Sequence, residues 1–336
     1  MKNTAKNAVL FVLCIIAAVL ILFYQGGRDT NPAEMVYWSE MSPDGRALLI
    51  RLGYGQPNVY GRYKKQKAFV LFLSGDAPNL VPFGYFGKDC IQPVWRPNVS
   101  PKELFIVKLP RWGAQRLIAV KVSDRFSKIS SHVQPEDWFF GQLKWNPAGQ
   151  ILAACVILLQ EDGRPRRLAV SFDKGKSFNL TNIEIDHGFV WAGDNLLLGQ
   201  NQNQIFEIDI TNKNLRIEKN IASGGGIHLS DSLYGKAICT LENTLYFGDR
   251  PLYRSDEAFG NIHVARDLIA LQTGKQIVVL DAKGEILSDR YFETDDFYFV
   301  GISAADKYVY IMKNQRSIER YAFENSQAPK VVYEVK

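Results

Sequence analysis

The feature that most constrains this chain is a phrase that returns seven times: a short apolar strand, a turn of Pro, Asp, Asn or Gly, and a second apolar strand. It reads VYWSEMSPDGRALLI, IQPVWRPNVSPKELFIV, FGQLKWNPAGQILAACVI, DHGFVWAGDNLLLGQ, GIHLSDSLYGKAICTL, NIHVARDLIALQ and YFVGISAADKYVYIM. With Met41, Trp95, Trp145, Trp191, Leu229, Val264 and Ile302 taken as equivalent, the steps are 54, 50, 46, 38, 35 and 38 residues. Further strand-like runs such as KAFVLFL, RLIAVKV, RRLAVSF, QIFEIDI, QIVVLD and SIERYAF fall between the phrases, so each unit has room for four strands. One such unit cannot bury both of its faces alone, and units of this length stack around an axis. The expected fold is all-β, a seven-bladed β-propeller over residues 35–336. Closure is expected to pair Met35–Ser39 with the last strand near Lys330–Val335.

Ahead of the repeats, Ala8 to Tyr24 is 17 consecutive residues without a charge or a strong polar group. At about 1.5 Å per residue this run, helped by Gln25 to Gly27, crosses a hydrocarbon layer of about 30 Å. It reads as a single transmembrane helix within a unit 1–28, joined by a linker 29–34. A cleaved signal peptide is the competing reading, but its apolar region is shorter and ends in a small-x-small site, which QGGRDT matches poorly. Lys2 and Lys6 precede the run, so the positive-inside bias puts the N-terminus in the cytoplasm. The propeller is then expected on the periplasmic, extracytoplasmic side of the inner membrane, with the membrane itself as one partner.

The chain carries 40 basic and 35 acidic residues, a balance with no strong bias. Its basic clusters, Arg62, Lys64, Lys65 and Lys67 and then Arg164, Arg166 and Arg167, are not interleaved with aromatics, which argues against nucleic acid. Outside the apolar run stand Cys90, Cys155 and Cys239, an odd and widely spaced set that reads as buried thiols, with one bridge left open.

In SPDG (Ser42 to Gly45) and WNPAG (Trp145 to Gly149) the sequence resembles the TolB-like branch of the propeller superfamily, whose repeats carry W-S-P-D-G between their first two strands. The resemblance covers residues 36–336 and is best in the first three units. It implies fold, since these turn residues carry no chemistry. In SFDKGKSF, Ser171, Asp173, Gly175, Ser177 and Phe178 resemble the Asp-box of sialidase-type propellers. That likeness implies a hairpin in which Asp bonds to backbone amides, away from any catalytic face.

The position before each anchor reads Glu40, Val94, Lys144, Val190, His228, His263 and Gly301, and the position two earlier reads Trp38, Gln92, Gln142, Gly188, Gly226, Asn261 and Phe299. Alternation with period two puts both rings on one strand face, near the axial channel. Glu40, Lys144, His228 and His263, with Gln92, Gln142 and Asn261, are therefore the expected ligand-binding residues. His228 and His263 on adjacent blades would share a metal, a water or an anionic group, and they resemble the divalent-metal site of propeller oligogalacturonide lyases. A third ligand is not evident, so no metal and no other cofactor is assigned, and the plainer reading is a water-filled polar channel. Trp112 and Trp138, in Pro/Gly-flanked connections, are expected to contact a partner in the envelope. No nucleophile elbow, P-loop, dinucleotide fingerprint, HExxH or CxxC occurs. The expected function is a membrane-anchored binding module, a scaffold or a toxin-immunity protein. The alternative is a polysaccharide lyase or glycosidase working at the channel mouth.

Overall fold

The computed structural model describes residues 35–335, apart from 58–62, 74–78, 84–89, 101, 110–112, 124, 187, 203, 212–215, 224–226, 294–295 and 325–327. The apolar run 8–24 lies outside the described residues, as does Trp112. No helix among the described residues is long and apolar enough to cross a membrane.

Apolar strands of four to eleven residues, punctuated by turn residues, zip in chain order into seven four-stranded antiparallel sheets among the described residues. Blade 1 is residues 35–83, blade 2 is 90–133, blade 3 is 138–184 and blade 4 is 188–223. Blades 5, 6 and 7 are 228–254, 259–291 and 297–334. The innermost strands are Met35–Met41, Cys90–Arg96, Trp138–Trp145, Gly188–Trp191, His228–Leu233, Phe259–Ala265 and Phe297–Ser303. The seven-bladed propeller read from the repeats is the observed architecture.

Because both faces of a central strand are buried, its residues alternate between two neighbours rather than between core and water. Leu49 and Ala47 of blade 1 pack against Trp95, Leu104 and Ile106 of blade 2. Phe105 and Val107 of blade 2 meet Phe140, Trp145 and Leu152 of blade 3. The same interleaving continues around the ring to the seam, where Val300, Tyr310 and Met312 of blade 7 pack on Val36, Leu48 and Ile50 of blade 1.

The expected closure is corrected here. Blade 1 is built wholly of N-terminal strands and blade 7 wholly of C-terminal ones, with Lys330–Glu334 pairing to Ser317–Ala322. No described strand crosses the seam, which rests on its apolar layer and on Val36 N–H donating to Gln315 O at 2.6 Å.

The polar turns do local work. Ser42 Oγ accepts from Ala47 N–H at 2.9 Å and donates to Asp44 at 2.6 Å, while buried Asn146 accepts from Gln150 and Ile151 N–H at 2.7 and 2.9 Å. In blade 3, Asp173 accepts from Ser171 Oγ, Ser177 N–H and Ser177 Oγ at 2.8, 3.0 and 2.6 Å. Gly175 there has φ +81°, and a Cβ would stand 2.3 Å from Leu117 of blade 2, so the turn lies flat on its neighbour. Cys155 and Cys239 are free, buried thiols, pushed up to about 11 chiefly by burial.

Candidate functional site

The turns that follow the innermost strands gather at one end of the channel, and three of them, through Pro43, Pro97 and Pro147, rim a cavity of about 340 Å³. Its walls are Met41, Trp95, Trp145 and Trp191, all buried, with Val264. Glu40, Val94, Lys144 and Asp231 line it as well. The tryptophans wall the cavity because their faces are already packed. Trp145 is edge-on to Phe105 at 4.8 Å and lies under the Arg96 guanidinium at 5.3 Å, and Trp191 Nε1 donates to Lys144 O at 3.0 Å.

Strand register identifies the ring beneath these walls. Glu40 pairs with Leu49, Val94 with Phe105, Lys144 with Ala153, Val190 with Leu198, Asp231 with Ile238, His263 with Ala270 and Gly301 with Tyr310. In every pair the central-strand partner packs toward the next blade, so the seven residues occupy one structural position. Glu40, Lys144 and His263 stand in the ring at the positions counted from the repeats.

His228 does not. It is exposed and pairs with Thr240, and Asp231, three residues later, takes the blade 5 position. Two local features produce the shift: a bulge between Leu229 and Asp231, and a tight turn with Tyr234 and Gly235 at φ +47° and +76°. The alternation reads correctly from that turn, since Ser232 then faces blade 4, where its hydroxyl donates to Trp191 O. The pair of histidines on one level is thereby corrected, and among the described residues no group of three His, Cys, Asp or Glu could hold a metal ion.

The charges of the ring are spaced apart by apolar or small positions. Glu40 on blade 1, Lys144 on blade 3 and Asp231 on blade 5 are separated by Val94 and Val190, and among the described residues none of them forms an ion pair. Burial pushes the Glu40 carboxyl up to about 8, against the opposing pull of Lys144. Burial likewise holds His263 below its ordinary value, with Asp231 opposing and Lys144 adding to the effect. The His263 ring reaches over Gly301, whose absent side chain would stand 3.5 Å from Nε2, and meets Phe299 edge-on at 6.3 Å. Its Nδ1 is buried without a hydrogen-bond partner.

The remaining expected residues lie elsewhere. Gln142 Oε1 accepts from Phe189 N–H at 3.2 Å, and Asn261 Nδ2 donates to Phe299 O at 3.4 Å, so both brace neighbouring blades. The Gln92 side chain lies outside the described ones. Trp138 is corrected from a loop to a strand position: it begins the innermost strand of blade 3, half-buried against the core between blades 2 and 3, and packs edge-on to Phe140 at 6.5 Å.

Beside the first cavity and sharing Pro43, Trp95 and Pro97 with it is a second of about 400 Å³. It carries Arg96, Lys102 and Arg266. Arg96 is tied to Glu103 at 2.7 Å and Lys102 to Asp44, whereas Arg266 is exposed and makes no ion pair among the described residues.

No family model and no curated protein matches the chain. The fold does have counterparts among solved structures. The β-propeller domain of the Trilobed protease from Pyrococcus furiosus aligns with TM-score 0.60 and 10 % identity over 91 % of this chain and 97 % of that one. A Pyrococcus horikoshii acylaminoacyl peptidase aligns at 0.61 and 8 % identity over 90 % of this chain and 52 % of that one. A structure from a study of two prolyl endopeptidases aligns at 0.59 and 10 % identity over 90 % and 50 %. The chain thus spans about half the length of these peptidases, and identities this low show the fold alone. Against these alignments the expected scaffold or immunity module and the polysaccharide enzyme are corrected: these three propellers belong to proteases and peptidases.

Proposed function

We propose that this chain is a peptide-handling propeller, which admits an extended segment of peptide at the channel mouth. The observation that carries this is the open cavity of about 340 Å³, with apolar walls above a ring of titratable groups that form no ion pair among the described residues. Extended peptide matches such a site: side chains pack on Trp95, Trp145 and Val264, and exposed Arg266 in the adjoining cavity offers a donor to carbonyls. The fold's occurrence in peptidases supports the same reading. The chain's own turns, SPDG and SFDKGKSF, support a TolB-like origin with one Asp-box, through the serine and aspartate hydrogen bonds of blades 1 and 3.

The test is binding of fluorescein-labelled peptides of three to ten residues to the full-length protein in detergent. Binding in the micromolar range is expected. Pro147→Trp, which fills the mouth from an exposed turn, should weaken it at least tenfold. Absence of binding at millimolar peptide, or equal binding by Pro147→Trp, would sink the reading.

We further propose that residues 8–24 hold the propeller at the outer face of the cytoplasmic membrane, a reading supported by the apolar run and by Lys2 and Lys6. An alkaline phosphatase fused to the C-terminus should be active in that case. Activity of a cytoplasm-only reporter at the same place would reverse the orientation.

A further inference from the structure

We infer that the ring of Glu40, Lys144, Asp231 and His263 is a binding site for a primary ammonium group, which enters from the mouth and sits on the channel axis. The inference deepens the peptide reading by naming what the deepest point of the channel recognises.

Four observations converge. The ring opens upward into the cavity through Glu40, Lys144 and Asp231, so a ligand in the mouth reaches it. These three groups stand on blades 1, 3 and 5 with Val94 and Val190 between, so they surround the axis and cannot neutralise one another by direct contact. His263 fills the arc between Asp231 and Glu40, reaching over Gly301, and its Nδ1 is buried with no partner. Counted by charge, two carboxyl groups and a histidine face one ammonium. A cation on the axis therefore meets carboxyl oxygens on two sides and a single like charge, whereas an anion meets one favourable ammonium and draws no gain from a carboxylate at Glu40 or Asp231.

The groups that face this point are Glu40 from blade 1, Lys144 from blade 3, Asp231 from blade 5 and His263 from blade 6; blades 2, 4 and 7 present Val94, Val190 and Gly301. Without a ligand, burial keeps the Glu40 proton in place near neutral pH. An arriving ammonium favours the carboxylate, so Glu40 releases that proton to solvent as the ligand binds. Net charge in the ring is conserved: one positive group enters and one proton leaves.

A primary ammonium comes from a peptide N-terminus or from a lysine side chain, and three probes separate these sources. They are trialanine amide with a free N-terminus, its N-acetyl form, and N-acetyl-lysine amide, titrated by calorimetry into the full-length protein in detergent at pH 7. In buffers of different ionisation enthalpy the heat should differ, as proton release requires. Whichever ammonium probe binds should do so at least tenfold more tightly than the acetylated tripeptide. Glu40→Gln and Asp231→Asn should each weaken it at least tenfold, and Glu40→Gln should also abolish the buffer dependence. Lys144→Met, which removes the opposing charge, should tighten binding severalfold, an effect that misfolding cannot produce. Equal binding of the free and acetylated tripeptides would overturn the ammonium site and leave the peptide reading standing. Binding of N-acetyl-lysine amide alone would support the site and count against a peptide N-terminus. Failure of both ammonium probes to bind would overturn the site.

Discussion

Replacing Tyr310 by alanine is expected to cost the propeller about 4 kcal/mol, by the usual scale for removing a large buried aromatic. Tyr310 is 1 % exposed and stands at the centre of the seam, among Val300 and Met312 of its own blade and Val36, Leu48 and Ile50 of blade 1. Elsewhere in the ring, consecutive blades are covalently joined, so a lost contact leaves the neighbours tethered. At the seam the described residues show an apolar layer and the Val36–Gln315 hydrogen bond joining blade 7 to blade 1, with no strand pairing between them. A void there removes dispersion contacts from both blades and invites water into the layer. Urea unfolding checks this, with a lowered midpoint at an unchanged slope, and Tyr310→Phe should cost about 1 kcal/mol or less by comparison. A loss under 1 kcal/mol for the alanine variant would show that the seam bears little of the ring's stability.

The second expected result concerns Glu40→Gln, which should stabilise the protein in mild alkali while impairing the site. The sign follows from linkage. Glu40 has its carboxyl raised from 4.5 to about 8 in the folded chain. Below 4.5 the group is protonated folded or unfolded and contributes nothing; between 4.5 and 8 the unfolded chain ionises and the folded one does not; above 8 the full cost is present. Burial of Glu40 therefore destabilises the fold progressively as pH rises through that window. Each unit corresponds to about 1.4 kcal/mol, and contact with water in the mouth cavity holds the expected gain from glutamine to about 2 kcal/mol at pH 8, vanishing at pH 4. His263 acts in the opposite direction: its lowered value means that stability is lost as pH falls below its ordinary range. Thermal unfolding of both proteins at pH 4, 6 and 8 tests the claim. A Glu40→Gln variant no more stable than the parent at pH 8 would show that the carboxyl is not held neutral.

A residue whose replacement improves the fold and weakens binding is one kept for what the site does. Neutral Glu40 at rest is the cost of a carboxylate available when a cation arrives. The same logic applies to the ring as a whole, since Glu40, Lys144 and Asp231 form no ion pair among the described residues and so stabilise nothing by direct pairing.

The blades were legible in the sequence wherever a turn carries its own geometry. Ser42 and Asn146 close their turns with hydrogen bonds to residues four and five positions away, so SPDG and NPAG identify a hairpin before any tertiary contact exists. Counting two from those turns fixes Glu40 and Lys144, and the same counting holds for His263. Blade 5 has no such motif and no tryptophan. Its register is decided by the bulge at Ser230 and by the Tyr234–Gly235 turn, and counting from the apolar Leu229 chose His228 where Asp231 stands. The turn was visible as a Tyr-Gly pair; the bulge was not, because it is forced by packing Leu229 toward blade 4 and Leu233 toward blade 6 in one short strand.

Closure and protonation belong to the tertiary structure alone. A C-terminal strand has the same local propensity whether it pairs within blade 7 or crosses to blade 1, and only the fit of the apolar layer at the seam selects the first. Sequence gives Glu40 its carboxyl, but the carboxyl holds a proton because seven blades, distant along the chain, converge to take water away from it. Local turn chemistry repeats along a chain and can be read from it, whereas desolvation and ring closure are sums over residues that meet only once the ring has formed.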